Sequence, residues 1–173
     1  MREPIPLTQR GLDRVFVLGF LMFAATSLYV DRLAALDVDV CAEQRLAGAL
    51  CWYGRNIDPL YLANPHWLRV LSGISAWVFG PLYLVLAYGF WRGVDAVRGP
   101  ALAWATCILY SMVLHIWLEL FGEHPPANPG AMFLVYAPYI ALPIALLWRM
   151  RSRGPFSRAV PAASDPASPT TSP

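Results

Sequence analysis

Four long apolar stretches dominate the chain: roughly Leu12 to Val30, Trp67 to Phe90, Ala101 to Leu120 and Met132 to Trp148. Each runs about 17–24 residues, the length a helix needs to cross the hydrocarbon of a bilayer. Backbone polar groups cannot stay unpaired in lipid, so a spanning segment is a helix or belongs to a closed barrel. No stretch alternates apolar and polar residues with period two, which removes the barrel. The pattern predicts an all-α, polytopic membrane protein, a four-transmembrane-helix bundle occupying 12–154. A polar N-terminus (1–11) precedes it, and a Pro/Ser-rich tail (155–173), expected to be disordered, follows.

Between the first two stretches lies a loop from Asp31 to His66, too long for a bare connector. Within it Leu46, Ala47, Leu50 and Cys51 recur at helical spacing, which predicts a short amphipathic helix over 43–53 with Trp52 and Tyr53 at headgroup depth. Asp58-Pro59 and Asn64-Pro65 are turn signals.

Composition sharpens this picture. Of 173 residues 57% are hydrophobic and 14% charged, too few charges to cover a water-facing surface. All 13 basic residues are Arg, scattered along the chain. A nucleic-acid partner is not expected, since it would need them gathered on one face. Arg2, Arg10 and Arg14, then Arg92 and Arg98, then Arg149, Arg151, Arg153 and Arg158 flank the spans on one side, while the turn after span three has none. By the positive-inside rule both termini are cytoplasmic.

The candidate chemistry is sparse. No Cys/His cluster has metal-ligand spacing, so neither a metal nor another cofactor is expected. Cys41 and Cys51 share the far-side loop, where an oxidising compartment would allow a disulfide. Asp31 closes the first span, and carboxylates at membrane depth are costly and often functional. The alternative is an Asp that ends the helix and pairs with Arg32. Asp58 before Pro59 is either a turn former or a lid residue. His115 and Glu119, spaced i and i+4 in span three, share a face and form a candidate acid–base pair. Two such side chains are too few for a metal cage. Pro81, Pro138 and Pro143 lie inside spans and each removes a helical N–H, so kinks that leave room for a ligand are expected.

Several patches of the chain resemble a known family. Trp52–Leu60 (WYGRNIDPL), Tyr29-Val30-Asp31, and Val135–Tyr139 (VYAPY) followed by Pro143 are similar to the EXPERA family. So are Gly80-Pro81-Leu82 and the exit Gly89–Gly93. That family includes the sigma-2 receptor and the emopamil-binding sterol isomerase, and the receptor-like branch is the nearer. The resemblance implies a four-helix membrane bundle with a cavity opening towards the bilayer, a sterol-like lipid or hydrophobic amine as ligand, and a homodimer as the assembly. It implies that Asp31 meets a ligand amine, that Asp58 belongs to the pocket region, and that Ser75, Phe79 and Tyr139 line the wall. Trp52, Tyr53, Pro81, Pro138 and Pro143 would shape the pocket. The receptor-like branch carries a Glu and a Gln where this chain has Ser75 and Phe79. The isomerase branch needs a His and two Glu where this chain has Leu18, Met22 and Ser72. The inherited proton transfer is therefore not expected, because none of these three titrates usefully. An isomerase would have to relocate its acid and base to His115 and Glu119. A non-catalytic structural module is the remaining alternative. The membrane would be that of the endoplasmic reticulum in a eukaryote and the inner membrane in a bacterium.

Overall fold

The computed structural model describes residues 2–42, 47–152 and 154–159. A short strand β1 (Arg2–Pro4) leads into α1 (Gly11–Thr26). A π-turn over Ser27–Asp31 carries the helix into α2 (Arg32–Ala35). The loop region holds α3 (Ala47–Asn56) and α4 (Pro59–Ala63). The chain re-enters as α5 (His66–Ile74), passes a second π-turn over Ser75–Phe79, and continues as α6 (Gly80–Arg92). Helices α7 (Arg98–Phe121) and α8 (Pro129–Arg149) complete the bundle, and β2 (Ser157–Ala159) follows.

Among the described residues, four helical segments are long and apolar enough to span a membrane: Gly11–Ala35, His66–Arg92, Asp95–Phe121 and Pro129–Arg149. All four begin earlier than the apolar stretches alone indicate and extend to or past their ends. The reason is that polar residues such as Asp31 and Asp95 continue helical backbone into the flanks. Asp31 therefore lies inside the first helical segment, one turn before its end.

An aromatic core holds the bundle together. Phe16, Phe20 and Phe23 of α1 recur at i, i+4 and i+7 and bury against Tyr83 and Phe90 of α6 and Trp104 of α7. The Phe20 ring lies 5.4 Å from both Phe90 and Trp104, edge-on to each, a geometry that adds about 0.5–1.5 kcal/mol per pair beyond area burial. Helix α1 packs along α6, and α7 along α8. Gly19 admits Leu142 of α8 against the α1 backbone, since a Cβ there would collide with the Leu142 side chain.

The prolines are absorbed rather than disruptive. Pro81 sits in the first turn of α6, just after the π-turn, where its missing N–H leaves little to replace. Pro138 and Pro143 lie within α8, and helix continues through both. Local π-geometry occurs at 27–31 and at 75–79, the latter directly before Pro81.

The loop helix begins at Ala47; residues 43–46 of the expected amphipathic helix lie outside the described residues. A further helix, α4, follows it. Cys41 and Cys51 are joined by a disulfide with Cα atoms 5.0 Å apart, tying the start of this loop to α3.

The two chain ends correct the expectation for the tail. Pro155 and Phe156 are buried, Phe156 fully, and β2 pairs antiparallel with β1. The Phe156 ring stands edge-on to Phe90 at 4.9 Å, so an aromatic anchor interrupts the Pro/Ser-rich composition. The rest of the tail, 160–173, lies outside the described residues. At this end Asp13 is buried yet fully matched. It accepts from Arg10 Nη1 at 2.9 Å and from Arg149 Nε and Nη2 at 2.8 and 2.9 Å. Both guanidinium groups also lie over the Phe156 ring. Gly93 caps α6 with φ +71°, a left-handed conformation suited to glycine, and its open face admits Arg10.

Candidate functional site

The opposite end of the bundle gathers the polar residues that the sequence singles out. Two groups form there, one at the pair of π-turns and one beneath the loop helices.

The first group centres on Asp31. The two π-turns face each other, and Ser27 Oγ and Ser75 Oγ hydrogen-bond across them at 2.9 Å. The Asp31 carboxyl neighbours both serines and is half-buried. A π-turn widens a helix by one residue and recurs at functional sites. Here it rotates Ser27 and Asp31 inward together. Tyr139 of α8 closes this side: its hydroxyl bonds Thr26 Oγ1 at 2.9 Å and its ring stacks on Phe23 at 4.3 Å. Phe79 is half-buried and joins the aromatic core beside Tyr83.

The second group runs from Asp58 to Glu119. Asp58 precedes α4 and is 3% exposed. Its Oδ2 accepts a hydrogen bond from Tyr136 at 3.0 Å and a longer one from Tyr53 at 3.4 Å. Burial pushes the Asp58 carboxyl above the usual range; the bonds from Tyr136, the Tyr61 and Leu60 backbone and Tyr53 pull it partly back. Burial first, then the Asp58 charge, pushes the Tyr53 phenol up. His115 Nε2 lies 3.1 Å from the Tyr136 oxygen and 3.4 Å from Glu119 Oε2. The Tyr136 hydroxyl thus lies between Asp58 Oδ2 and His115 Nε2 and joins them in one hydrogen-bonded line. Trp67 and Tyr136 pack edge-on against the imidazole at 5.9 and 5.2 Å.

Tyr61 bridges the two groups. Its ring meets Tyr53 at 6.3 Å, and its phenol is pushed up to about 12 by burial, then by the charges of Asp31 and Tyr29. It also lines a hollow of about 320 Å³ with Ala34, Asp37, Val40 and Asn64. A second, apolar hollow of about 270 Å³ lies along α7 and α8, lined by Leu109, Met112, Ile116, Trp117 and Ile140.

Asp31, Ser75 and Tyr139 thus meet in one place, and Asp58, Tyr53, His115 and Glu119 in another. Trp52 does not join them: it is 60% exposed, because the α3 face that buries Cys51 turns it outward. Leu18 and Met22 are exposed on α1, facing away from the core, whereas Ser72 is buried. Thr26, Ser27 and Tyr61 were not singled out from sequence. Adjacent hydroxyl residues in an otherwise apolar span were the available signal for the first two. Among the described residues no group of three His, Cys, Asp or Glu side chains is placed to hold a metal ion.

Comparison with known proteins agrees with this architecture. A frog protein, Sigma intracellular receptor 2 of Xenopus tropicalis, is 28% identical over 152 residues, covering 82% of this chain and 88% of its own. The proteins of the same name from Homo sapiens and Macaca fascicularis are 25% and 24% identical, covering 85% and 86% of this chain and 92% of each relative. No solved structure gives a significant match. The model of the EXPERA (EXPanded EBP superfamily) family matches residues 46–150, from the loop helix through the end of α8. Four spanning helices make the chain an integral membrane protein, and the match over most of its length assigns that protein to a sterol-related group: the chain belongs to the EXPERA family.

Proposed function

We propose that this protein binds a sterol-like lipid or hydrophobic amine within the membrane, with Asp31 as the polar anchor. The observation that carries this reading is the pair of facing π-turns, joined by Ser27 and Ser75, which hold the Asp31 carboxyl inside a spanning segment. A carboxylate at membrane depth costs several kcal/mol unless it is paired. No arginine pairs with Asp31 among the described residues, so a ligand amine supplies the missing charge. Ser75 and Tyr139 line the wall. Phe79 backs it from the core. Tyr53 and Asp58 cover the mouth from α3 and α4. The apolar hollow along α7 and α8 supports a role for those helices in holding the ligand's body. The likeness to proteins named Sigma intracellular receptor 2 supports binding rather than catalysis as the primary role.

The experiment is mass spectrometry of lipid retained after mild detergent extraction. A sterol-like or aminated amphiphile enriched over the bulk membrane, and lost in Asp31→Asn, is the expected result. Retained lipid that mirrors the bulk membrane in both proteins contradicts the reading. The second reading is a double-bond isomerase using His115 and Glu119, favoured by their 3.4 Å approach inside the bundle. Turnover of a sterol substrate that disappears in Glu119→Gln would support it. The homodimer implied by the resemblance is checked by sizing the protein in detergent. The specific membrane is checked by fractionating the source cells.

A further inference from the structure

The second group forms a line of proton-carrying side chains drawn from three elements. Asp58 leads into α4 in the loop, His115 and Glu119 lie on α7, and Tyr136 lies on α8. Asp58 Oδ2 is 3.0 Å from the Tyr136 oxygen, that oxygen is 3.1 Å from His115 Nε2, and Nε2 is 3.4 Å from Glu119 Oε2. The first two are hydrogen-bond lengths. The third is longer, as proton-transfer contacts commonly are at rest, and a small rotation of the ring closes it. Phenol and imidazole both give and accept protons, and so does a carboxyl at either end. A line of this kind does more than fasten the loop to the bundle. The Asp58–Tyr136 bond alone would do that, yet His115 and Glu119 extend the line into a spanning helix, where ionisable groups are costly and usually functional. The Glu119 side chain is 0% exposed, so it has no direct contact with water.

We propose that this line carries a proton between the loop and Glu119, so that a carboxyl enclosed in the bundle exchanges its proton with water on the loop side. The steps balance. The Asp58 O–H bond breaks as a proton joins the Tyr136 oxygen, and the Tyr136 hydroxyl passes its own proton to His115 Nε2. The same nitrogen faces Glu119 Oε2 and hands the proton on, which returns the imidazole to its neutral form. One proton has then moved from Asp58 to Glu119, and Tyr136 and His115 end as they began. Moving the protons in concert avoids a standing charge on a largely buried ring. Two further side chains meet the line: Tyr53 of α3, 3.4 Å from Asp58 Oδ2, and Trp67 of α5, edge-on to the imidazole. Among the described residues no arginine pairs with it. The line needs no ligand at Asp31, so it stands apart from the amine-binding reading.

The test follows hydrogen–deuterium exchange at Glu119 in the full-length, ligand-free protein in lipid nanodiscs. The probe is the infrared carbonyl band of the protonated Glu119 carboxyl at mildly acidic pH, identified by its loss in Glu119→Gln. Tyr136→Phe keeps the ring and removes the hydroxyl, and is expected to slow exchange by about tenfold or more. Asp58→Asn, which cannot release a carboxyl proton, is expected to slow it too and decides the matter if the Phe variant does not fold. Tyr110→Phe removes a hydroxyl from an exposed position on α7 and is expected to leave the rate unchanged. A line that only fastens the loop predicts the opposite sign, because breaking it loosens the bundle and admits water faster. Exchange that is unchanged or faster in every folded variant of Tyr136 and Asp58 overturns the inference. So does equal slowing in Tyr110→Phe, or a wild-type protein with no Glu119 carbonyl band at any pH.

Discussion

The two ends of the bundle treat buried charge in opposite ways. At the end bearing the termini, Asp13 is enclosed but receives three short bonds from Arg10 and Arg149. The arginines themselves are further bonded to the carbonyls of Ile5, Phe90 and Pro155. At the far end Asp31, Asp58 and Glu119 meet hydroxyls, an imidazole and aromatic rings, and among the described residues no arginine pairs with them. A paired charge inside a protein fastens elements together; an unpaired one stores free energy that a partner can release. The first end reads as a clasp and the second as a receptor for something positive.

Breaking the clasp should have the largest effect. Asp13→Ala leaves two buried guanidinium groups without their carboxylate, a loss of about 3–5 kcal/mol. The apparent Tm in detergent should fall accordingly, and a variant as stable as wild type would mean the network is not the fastening it looks to be. Opening the loop comes next. Cys41→Ser releases a bridge between residues ten apart in sequence, worth about 2–3 kcal/mol in the chain-entropy account. Its effect should appear as faster proteolysis within 42–58, with the core transition little changed; uniform destabilisation would show that the loop and bundle unfold as one.

The Asp58 carboxyl gives the comparison a pH signature. Its proton is held more tightly in the folded state than in the unfolded chain, because burial disfavours the charged form. Stability linked to Asp58 is thus fully present at low pH and declines as pH rises from about 4 through the raised value. Thermal unfolding across that window should show the decline in wild type and a flatter profile in Asp58→Asn. Identical profiles would mean that burial does not govern this carboxyl. The smallest effect on stability belongs to Glu119→Leu. Removing an unmatched buried carboxyl should stabilise the fold by about 1 kcal/mol, the low end of what an unmet buried polar group costs. A large loss there would show that Glu119 is part of a second clasp.

Residue types and spacing made the spanning helices legible, because a 20-residue apolar run has few other fates in a chain this poor in charge. Asp31, Asp58 and the His115–Glu119 spacing were legible for a related reason: titratable groups stand out against apolar neighbours. What the pattern did not reveal was how they combine. The π-turns at 27–31 and 75–79 meet through Ser27 and Ser75, a contact between residues 48 apart in sequence that no local pattern signals. The Asp58–Tyr136–His115 line joins residues far apart in sequence. Arg10 and Arg149 counted only towards orientation, and their convergence on Asp13 follows from the way α1 and α8 meet. Phe156 was hidden by its surroundings, a lone anchor in a tail whose composition otherwise signals disorder.

The central claim is that Asp31 pairs with a ligand amine inside the membrane. Its most direct test is the affinity of a protonatable hydrophobic amine, set against its neutral carbon isostere, for wild type and Asp31→Asn in nanodiscs. The account predicts that wild type prefers the amine by at least about tenfold, as a desolvated charge pair requires, and that Asp31→Asn loses this preference while its Tm stays unchanged. An amine preference that persists undiminished in Asp31→Asn contradicts it.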